Sequence, residues 1–335
     1  MSWASVLELA KEFQASLAKS TPDIYEEMQG IAEGAEFGIL DIVALNCRSE
    51  IALGRFSDGC TSISWKKSEN SRILAQNWDW TRMVGENLAA VSIEKAGKPR
   101  IYMVTEVGLL DVYLDEESAD VAYQAGIVGK IGFNTAGVGT GLNAIRAKNG
   151  SNSKLPIHVA LRVCLESTSV ENALQTLSSC GGVASAQHIL IADPTISLGL
   201  ELSPVGNVHL KEDEFGMINH SNHFLENQYV DENPFKPGTY LRLERIRELA
   251  RNLAKDGVKG EKITPTLLRE KLFTDSCNAP NAICALDDPS LHRTVRSCSL
   301  FNIVMNLNMP NPSAEVVLVH PGGRMGDSVM KMPWV

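Results

Sequence analysis

Arg55-Phe56-Ser57-Asp58-Gly59-Cys60-Thr61-Ser62-Ile63-Ser64-Trp65 is where this chain changes character. Ahead of it the sequence reads as helix. Residues 2–18 carry an amphipathic pattern with Glu8, Lys11 and Glu12 inside it. Thr21 and Pro22 read as the N-cap and first-turn proline of a second helix running toward Gly30 or Gly34. Residues 40–50 read as a third. The segment 55–59 is polar and turn-prone. From Cys60 onward the pattern is that of strands: 61–65 alternates, 66–72 is turn-like, and 73–80 is a second strand.

Working outward, the blocks keep alternating. Strands are expected at 89–94 and 101–106, and two short ones within the glycine-rich 126–142, around a tight turn at 134–137. A helix is expected over 156–166, and Thr168 with Glu171 reads as a capping box for another. A hairpin (188–192 with 196–202), two helices (239–254 and 264–273) and two late strands (300–307 and 315–319) complete the chain. There is no repeat, no low-complexity segment and no flexible linker. Runs of antiparallel strands flanked by paired helices predict an α+β layered fold in one domain.

Composition narrows the function. The 335 residues are 44% hydrophobic and 21% charged, ordinary values for a globular protein. A net charge of -9 argues against nucleic acid or an anionic membrane as the main partner. No apolar stretch approaches the ~20 residues that span a bilayer, and no secretory signal is expected. The seven cysteines include no C-x-x-C pair, and the histidines have no metal-site spacing. Reduced, mostly buried thiols, no metal and a cytoplasmic location are therefore expected.

Asp58-Gly59-Cys60-Thr61 admits two readings. A cysteine at a strand start is an ordinary structural residue. Alternatively, its thiol attacks the preceding carbonyl, shifts the acyl group from nitrogen to sulfur, and hydrolysis of the thioester cuts the chain before Cys60. The freed α-amine, with a reference pKa of about 7.7–8.0, then serves as base for the thiol of the same residue. If strands 61–65 and 73–78 pair so that Lys66 meets Ile73, continuing the register sets Cys60 opposite Asp79. Asp79 then orients the new ammonium, or simply ends a strand.

Asp58-Gly59-Cys60-Thr61, Gln76-Asn77-Trp78-Asp79, Gly132-Phe133-Asn134, Leu165-Glu166-Ser167-Thr168-Ser169 and Leu300-Phe301-Asn302-Ile303 occur in an order that resembles the acyl-coenzyme A:isopenicillin N acyltransferases. The resemblance covers residues 46–303. It implies an N-terminal-nucleophile hydrolase with a four-layer αββα sandwich. It also implies self-cleavage between Gly59 and Cys60 into a helical small subunit, 1–59, and a catalytic subunit, 60–335, that stay associated. By the same resemblance Cys60 is the nucleophile, and Asp79, Arg296 and Asn222 are catalytic. Arg296 is expected to favour the thiolate and pair with Asp79, and Asn222 to donate to an oxyanion; Asn134 is a second candidate donor. The implied substrates are small-molecule amides or amines and, as co-substrate, an acyl-coenzyme A; no cofactor is implied. Val295 stands where the acyltransferase has a serine, which weakens penicillin-type transfer specifically. A linear amide hydrolase and an uncleaved binding relative are the alternative readings.

Overall fold

The computed structural model of the chain describes residues 2–51, 59–107, 126–148, 150–232, 238–292, 296–320 and 322–334. Four helices come first: α1 (Trp3–Ser20), α2 (Pro22–Gly34), α3 (Ile39–Asn46) and α4 (Arg48–Ile51). Buried Val6, Ala10, Phe13 and Leu17 recur every three or four residues along α1, as an amphipathic helix requires. The expected single helix over 40–50 divides at Cys47. Thr21 does not cap α2 with its side chain; its hydroxyl donates back to the Leu17 carbonyl and closes α1.

Strands follow: β1 (Gly59–Ser68), β2 (Ser71–Thr81), β3 (Leu88–Ile93), β4 (Ile101–Glu106), β5 (Ile131–Asn134) and β6 (Gly139–Ala144). Next come α5 (Ile157–Leu165) and α6 (Val170–Ser179), whose N-cap is Ser169 accepting from the Asn172 amide rather than the expected Thr168–Glu171 box. Then β7 (Gln187–Ala192) and β8 (Ser197–Leu202) form the expected hairpin. The short strands β9 (Val208–Leu210) and β10 (Met217–His220) were not anticipated. Helix α7 (Gly238–Lys255), helix α8 (Pro265–Leu268) with a π-helical turn (Arg269–Phe273), β11 (Ser297–Asn306), β12 (Ser313–Leu318) and β13 (Met330–Met332) end the chain.

The strands make two antiparallel sheets. One runs β10-β1-β2-β11-β12-β13 and the other β3-β4-β5-β6-β7-β8-β9. The sheets face each other, β1 and β2 packing on β6 and β1 on β7. Helix α5 covers the second sheet; α7, α8 and the π-helical turn cover the first. The order is helix, sheet, sheet, helix: a four-layer αββα sandwich. One apolar core joins α1–α3, the second sheet and the inner face of the first, including Leu74, Trp78, Ile303 and Met305. A second core fills the outer face of the first sheet, where Ile63, Trp65, Ile73 and Ala75 meet Ile246, Leu272 and Phe273.

Candidate active site

Strand β1 brings Gly59 and Cys60 to the sheet end, and its pairing with β2 decides what they face. The register sets Cys60 opposite Trp78 and Gly59 opposite Asp79, with Lys66 opposite Arg72. The expected Cys60–Asp79 pairing is therefore corrected by one residue. The cause is at the hairpin end: Ser68 pairs with Ser71, and an irregularity between Lys66 and Ser68 takes up the extra residue. One residue of slip moves every side chain to the other face.

The corrected register separates the two groups. Ser62 donates to Asn143 and Gln76 to the Leu142 carbonyl, both on the second sheet, so even-numbered side chains of β1 and β2 point inward. Cys60 lies in that core with Trp78. Thr61, Asn77 and Asp79 point the other way, toward the helical layer: Thr61 meets Arg242 of α7, and Asn77 donates to the Phe273 and Ile283 carbonyls.

Asp79 is buried. Its Oδ1 accepts from the Ser299 hydroxyl at 2.5 Å. Its Oδ2 has no hydrogen-bond partner among the described residues. That oxygen lies against Gly59, where an added β-carbon would stand only 2.7 Å from it. Glycine is needed at 59 because the carboxylate occupies the space of a side chain. Burial pushes the Asp79 carboxyl up to about 7, against the pull of Arg242 and Ser299. Asp79 is thus a carboxyl able to hold or release a proton near neutrality, beside the Gly59–Cys60 peptide.

Asn222 follows β10 in a tightly anchored loop. Its Oδ1 accepts from the Cys60 amide at 2.8 Å and from Arg242 Nη2 at 2.7 Å. Its Nδ2 donates to the Ala144 carbonyl at 2.9 Å. The opposite amide orientation would set an NH₂ group against two donors, so the hydrogen bonds fix it. Asn222 is an acceptor for the Cys60 nitrogen here. One of the two Nδ2 hydrogens is held by the Ala144 carbonyl, and the group that Asn222 presents to Cys60 is its oxygen rather than the expected donor. The loop is held by Glu201, which accepts from the amides of Leu225, Glu226 and Asn227 and lies 3.0 Å from His220 Nε2.

Arg242, buried on α7, also donates to the Cys60 carbonyl at 2.5 Å and to Thr61 Oγ1 at 2.9 Å. Sequence reasoning missed it. The signal was present: Arg242 stands at i, i+4 and i+8 spacing with buried Ile246 and Ala250, a cation on an apolar stripe. Arg296, the expected cation, is paired in two contacts with Asp287 rather than with Asp79. Asn134 is fully used in the β5–β6 turn. It donates to the Leu165 and Ser167 carbonyls and accepts from the Ala136 and Val138 amides, so no donor remains for an oxyanion. Val295 lies outside the described residues.

On the inner face a second charged group was also missed. Lys130 Nζ donates to Glu106 Oε1 at 2.6 Å, and Arg48 grips both Glu106 oxygens. All three are buried. Burial raises the Glu106 carboxyl, but Arg48 and Lys130 outweigh it and hold it at about 2. Burial lowers Lys130 to about 8 despite Glu106. Charged residues ending or interrupting apolar runs, Glu106 after Ile101–Thr105 and Lys130 within 127–131, were the available signal.

Comparisons with known proteins place the chain in a family. The family model described as "Acyl-coenzyme A:6-aminopenicillanic acid acyl-transferase" matches residues 65–294. A curated relative, the acyl-coenzyme A:6-aminopenicillanic-acid-acyltransferase 40 kDa form of Emericella nidulans, is 35% identical over 308 residues, covering 90% of this chain and 77% of the relative. A solved structure, the Caenorhabditis elegans N-acylethanolamine-hydrolyzing acid amidase ortholog, aligns with a TM-score of 0.45 at 13% identity, over 75% of this chain and 94% of that one.

Proposed function

The chain belongs to the acyl-coenzyme A:6-aminopenicillanic acid acyl-transferase family, and from that premise we propose a self-processing cysteine acyltransferase or amidohydrolase acting on small molecules. The observation that carries this reading is the hydrogen bond from the Cys60 nitrogen to Asn222 Oδ1, with the unpartnered Asp79 oxygen against Gly59. These contacts converge on one peptide bond and on the nitrogen that its cleavage would free.

In the first reaction Cys60 Sγ attacks the Gly59 carbonyl carbon. The carbon–nitrogen bond breaks, the thiol proton passes to the departing nitrogen, and Gly59 is left as a thioester on sulfur. Water then attacks the thioester, with Asp79 placed to take its proton; a Gly59 carboxylate leaves and the thiol is restored. Asn222 Oδ1, held by Arg242, retains the new α-amine as it held the peptide N–H. The segment 1–59 becomes the small subunit and 60–335 the large one.

In the second reaction the α-amine takes the thiol proton as sulfur attacks an amide or thioester carbonyl. The leaving amine or thiol departs with that proton, and an acyl-Cys60 remains. An amine acceptor gives transfer; water gives hydrolysis. Acyl-coenzyme A fits the donor role because exchange between two thioesters is nearly balanced in energy.

Intact mass and a denaturing gel test the first step. Cleavage yields fragments of about 6 and 30 kDa, the 36.5 kDa chain split after residue 59 of 335. Active protein still joined at Gly59–Cys60 overturns the reading. Incubation with a labelled acyl-coenzyme A and an amine separates the outcomes: labelled amide marks a transferase, labelled acid a hydrolase.

A further inference from the structure

We infer that Ser299 is the positioning residue that aims Asp79 at the Gly59–Cys60 bond, holding one carboxyl oxygen so that the other faces Gly59. The inference rests on the reading of Asp79 as the group that takes a proton from water during self-cleavage.

Three strands put the parts in one row. Gly59 of β1 is directly opposite Asp79 of β2, and Asp79 is directly opposite Ser299 of β11. The second pairing depends on an irregularity in β11 between Ser299 and Phe301. Counted back from Phe301, which opposes Trp78, an unbroken ladder would set Leu300 against Asp79. The extra residue sets a hydroxyl there instead, in the way that bulges beside active sites re-aim a side chain.

The hydroxyl has little choice of role. A serine has one proton to donate and two lone pairs. Ser299 Oγ accepts from the Ala285 amide at 2.9 Å, and the Ser299 amide donates to the Ala285 carbonyl at 3.0 Å. Held this way, the buried hydroxyl gives its proton to Asp79 Oδ1 at 2.5 Å. Cys284 lies beside the same hydroxyl, but burial, then Asp79, push its thiol up to about 12. A neutral thiol is a weak acceptor and leaves the proton to the carboxylate. Arg242 acts on Asp79 through its charge, its hydrogen bonds going to Cys60, Thr61 and Asn222. Among the described residues, Ser299 is therefore the hydrogen-bond donor that orients the carboxyl.

With Oδ1 supplied, a proton taken up by Asp79 goes to Oδ2, the oxygen against Gly59. In thioester hydrolysis water gives one proton to Oδ2 while its hydroxyl adds to the Gly59 carbonyl carbon. The carbon–sulfur bond breaks, and sulfur takes the proton of the acid so formed. Asp79 passes its own proton to the Cys60 amine, leaving a carboxylate, a thiol and an ammonium. Ser299 touches none of the reacting atoms and acts through Asp79 alone.

A serine that merely pins β11 to residue 285 makes a different prediction. The test follows cleavage of freshly made full-length precursor, with and without hydroxylamine, by denaturing gel and intact mass. Hydroxylamine attacks a thioester without help from a protein base, so it bypasses Asp79 and ends fragment 1–59 in a hydroxamate. Ser299→Ala should slow cleavage about tenfold or more in buffer and accumulate precursor as the thioester. In hydroxylamine it should cleave as fast as wild type does there. Ser299→Thr, which keeps the hydroxyl, should restore most of the rate in buffer. Folded Ser299→Ala cleaving like wild type in buffer, or slowed equally with hydroxylamine, overturns the inference. Should Ser299→Ala fail to fold, Ser299→Cys, whose thiol is a weaker donor of similar shape, decides by the same comparison. Wild-type precursor that never cleaves refutes self-processing itself and this inference with it, so the two failures are distinguishable.

Discussion

Replacing Gly59 with alanine probes the placement of Asp79 directly. The added β-carbon would stand 2.7 Å from Asp79 Oδ2, 3.2 Å from its Cβ and 3.4 Å from its Cγ. Non-bonded carbon and oxygen do not approach to 2.7 Å, so something must move. Asp79 has little freedom to do so. It is buried, directly opposite Gly59 across the ladder, and tied through Oδ1 to Ser299 at 2.5 Å. Overpacking of this kind costs about 1–3 kcal/mol. If the carboxylate is displaced by that strain, the cleavage transition state loses the same alignment, and the rate falls roughly 5- to 150-fold at about 1.4 kcal/mol per tenfold. A time course of freshly made precursor on a denaturing gel measures it, as loss of the full-length band. A double-mutant cycle isolates the contact: the destabilisation by Gly59→Ala should shrink when Asp79 is also replaced by serine, which shortens the side chain. Gly59→Ala cleaving at the wild-type rate, with a cost unaffected by Asp79→Ser, refutes the reasoning.

Cys60→Ala should abolish both cleavage and acyl exchange, while Cys60→Ser, a weaker nucleophile, should slow both; intact mass and thioester turnover check this. Arg242→Gln strips Cys60, Thr61 and Asn222 of their shared donor and leaves Asp79 without its nearby cation, so cleavage should slow by about 100-fold or more and stability should fall by about 3–5 kcal/mol. Arg242→Lys should recover part of each, read by gel and urea denaturation. Asp79 has a folded-state pKa raised from 3.8 to about 7, so its contribution is fully present below pH 4 and is lost as pH rises toward 7. Asp79→Asn should therefore gain stability relative to wild type across that window, by up to about 4 kcal/mol at about 1.4 kcal/mol per pH unit. Urea midpoints from pH 4 to 8 test the sign. His158 works in the reverse direction, its buried neutral ring losing stability as pH falls below 6.5.

What the sequence disclosed depended on whether the determining contact was local. Strand β4 and the hairpin of β7 and β8 were legible because alternation and turn residues act within a few positions. Ser169 was overlooked as the α6 cap because Thr168 one residue earlier fits the same pattern; only the backbone turn decides which hydroxyl reaches an amide. Cys60 and Asp79 were found, but their register slipped because one irregularity beyond Lys66 is invisible in a run of polar residues. Arg242 and Lys130 lie far along the chain from Cys60, and nothing local distinguishes them beyond a charge on an apolar surface. Arg296 shows the converse: its expected pairing with Asp79 gives way to Asp287, nearer in sequence.

The one-residue correction also changes how the chemistry is divided. Had Cys60 faced Asp79 on one side of the sheet, the carboxylate would have stood beside the thiol and opposed its ionisation. With Gly59 opposite Asp79, the strand itself stands between them. The outer face, with Asp79, Asn222 and Arg242, serves the backbone carbonyl and nitrogen. The inner face carries Cys60 beside Trp78, whose ring lies against Lys130, itself paired with Glu106. The proposed mechanism, in which the α-amine of Cys60 serves as base for its own thiol, would draw on this separation, since conditions that keep an amine hydrogen-bonded and titratable differ from those that hold a thiolate. The alternation of a β-strand, two residues per repeat, supplies both environments from neighbouring atoms of one residue.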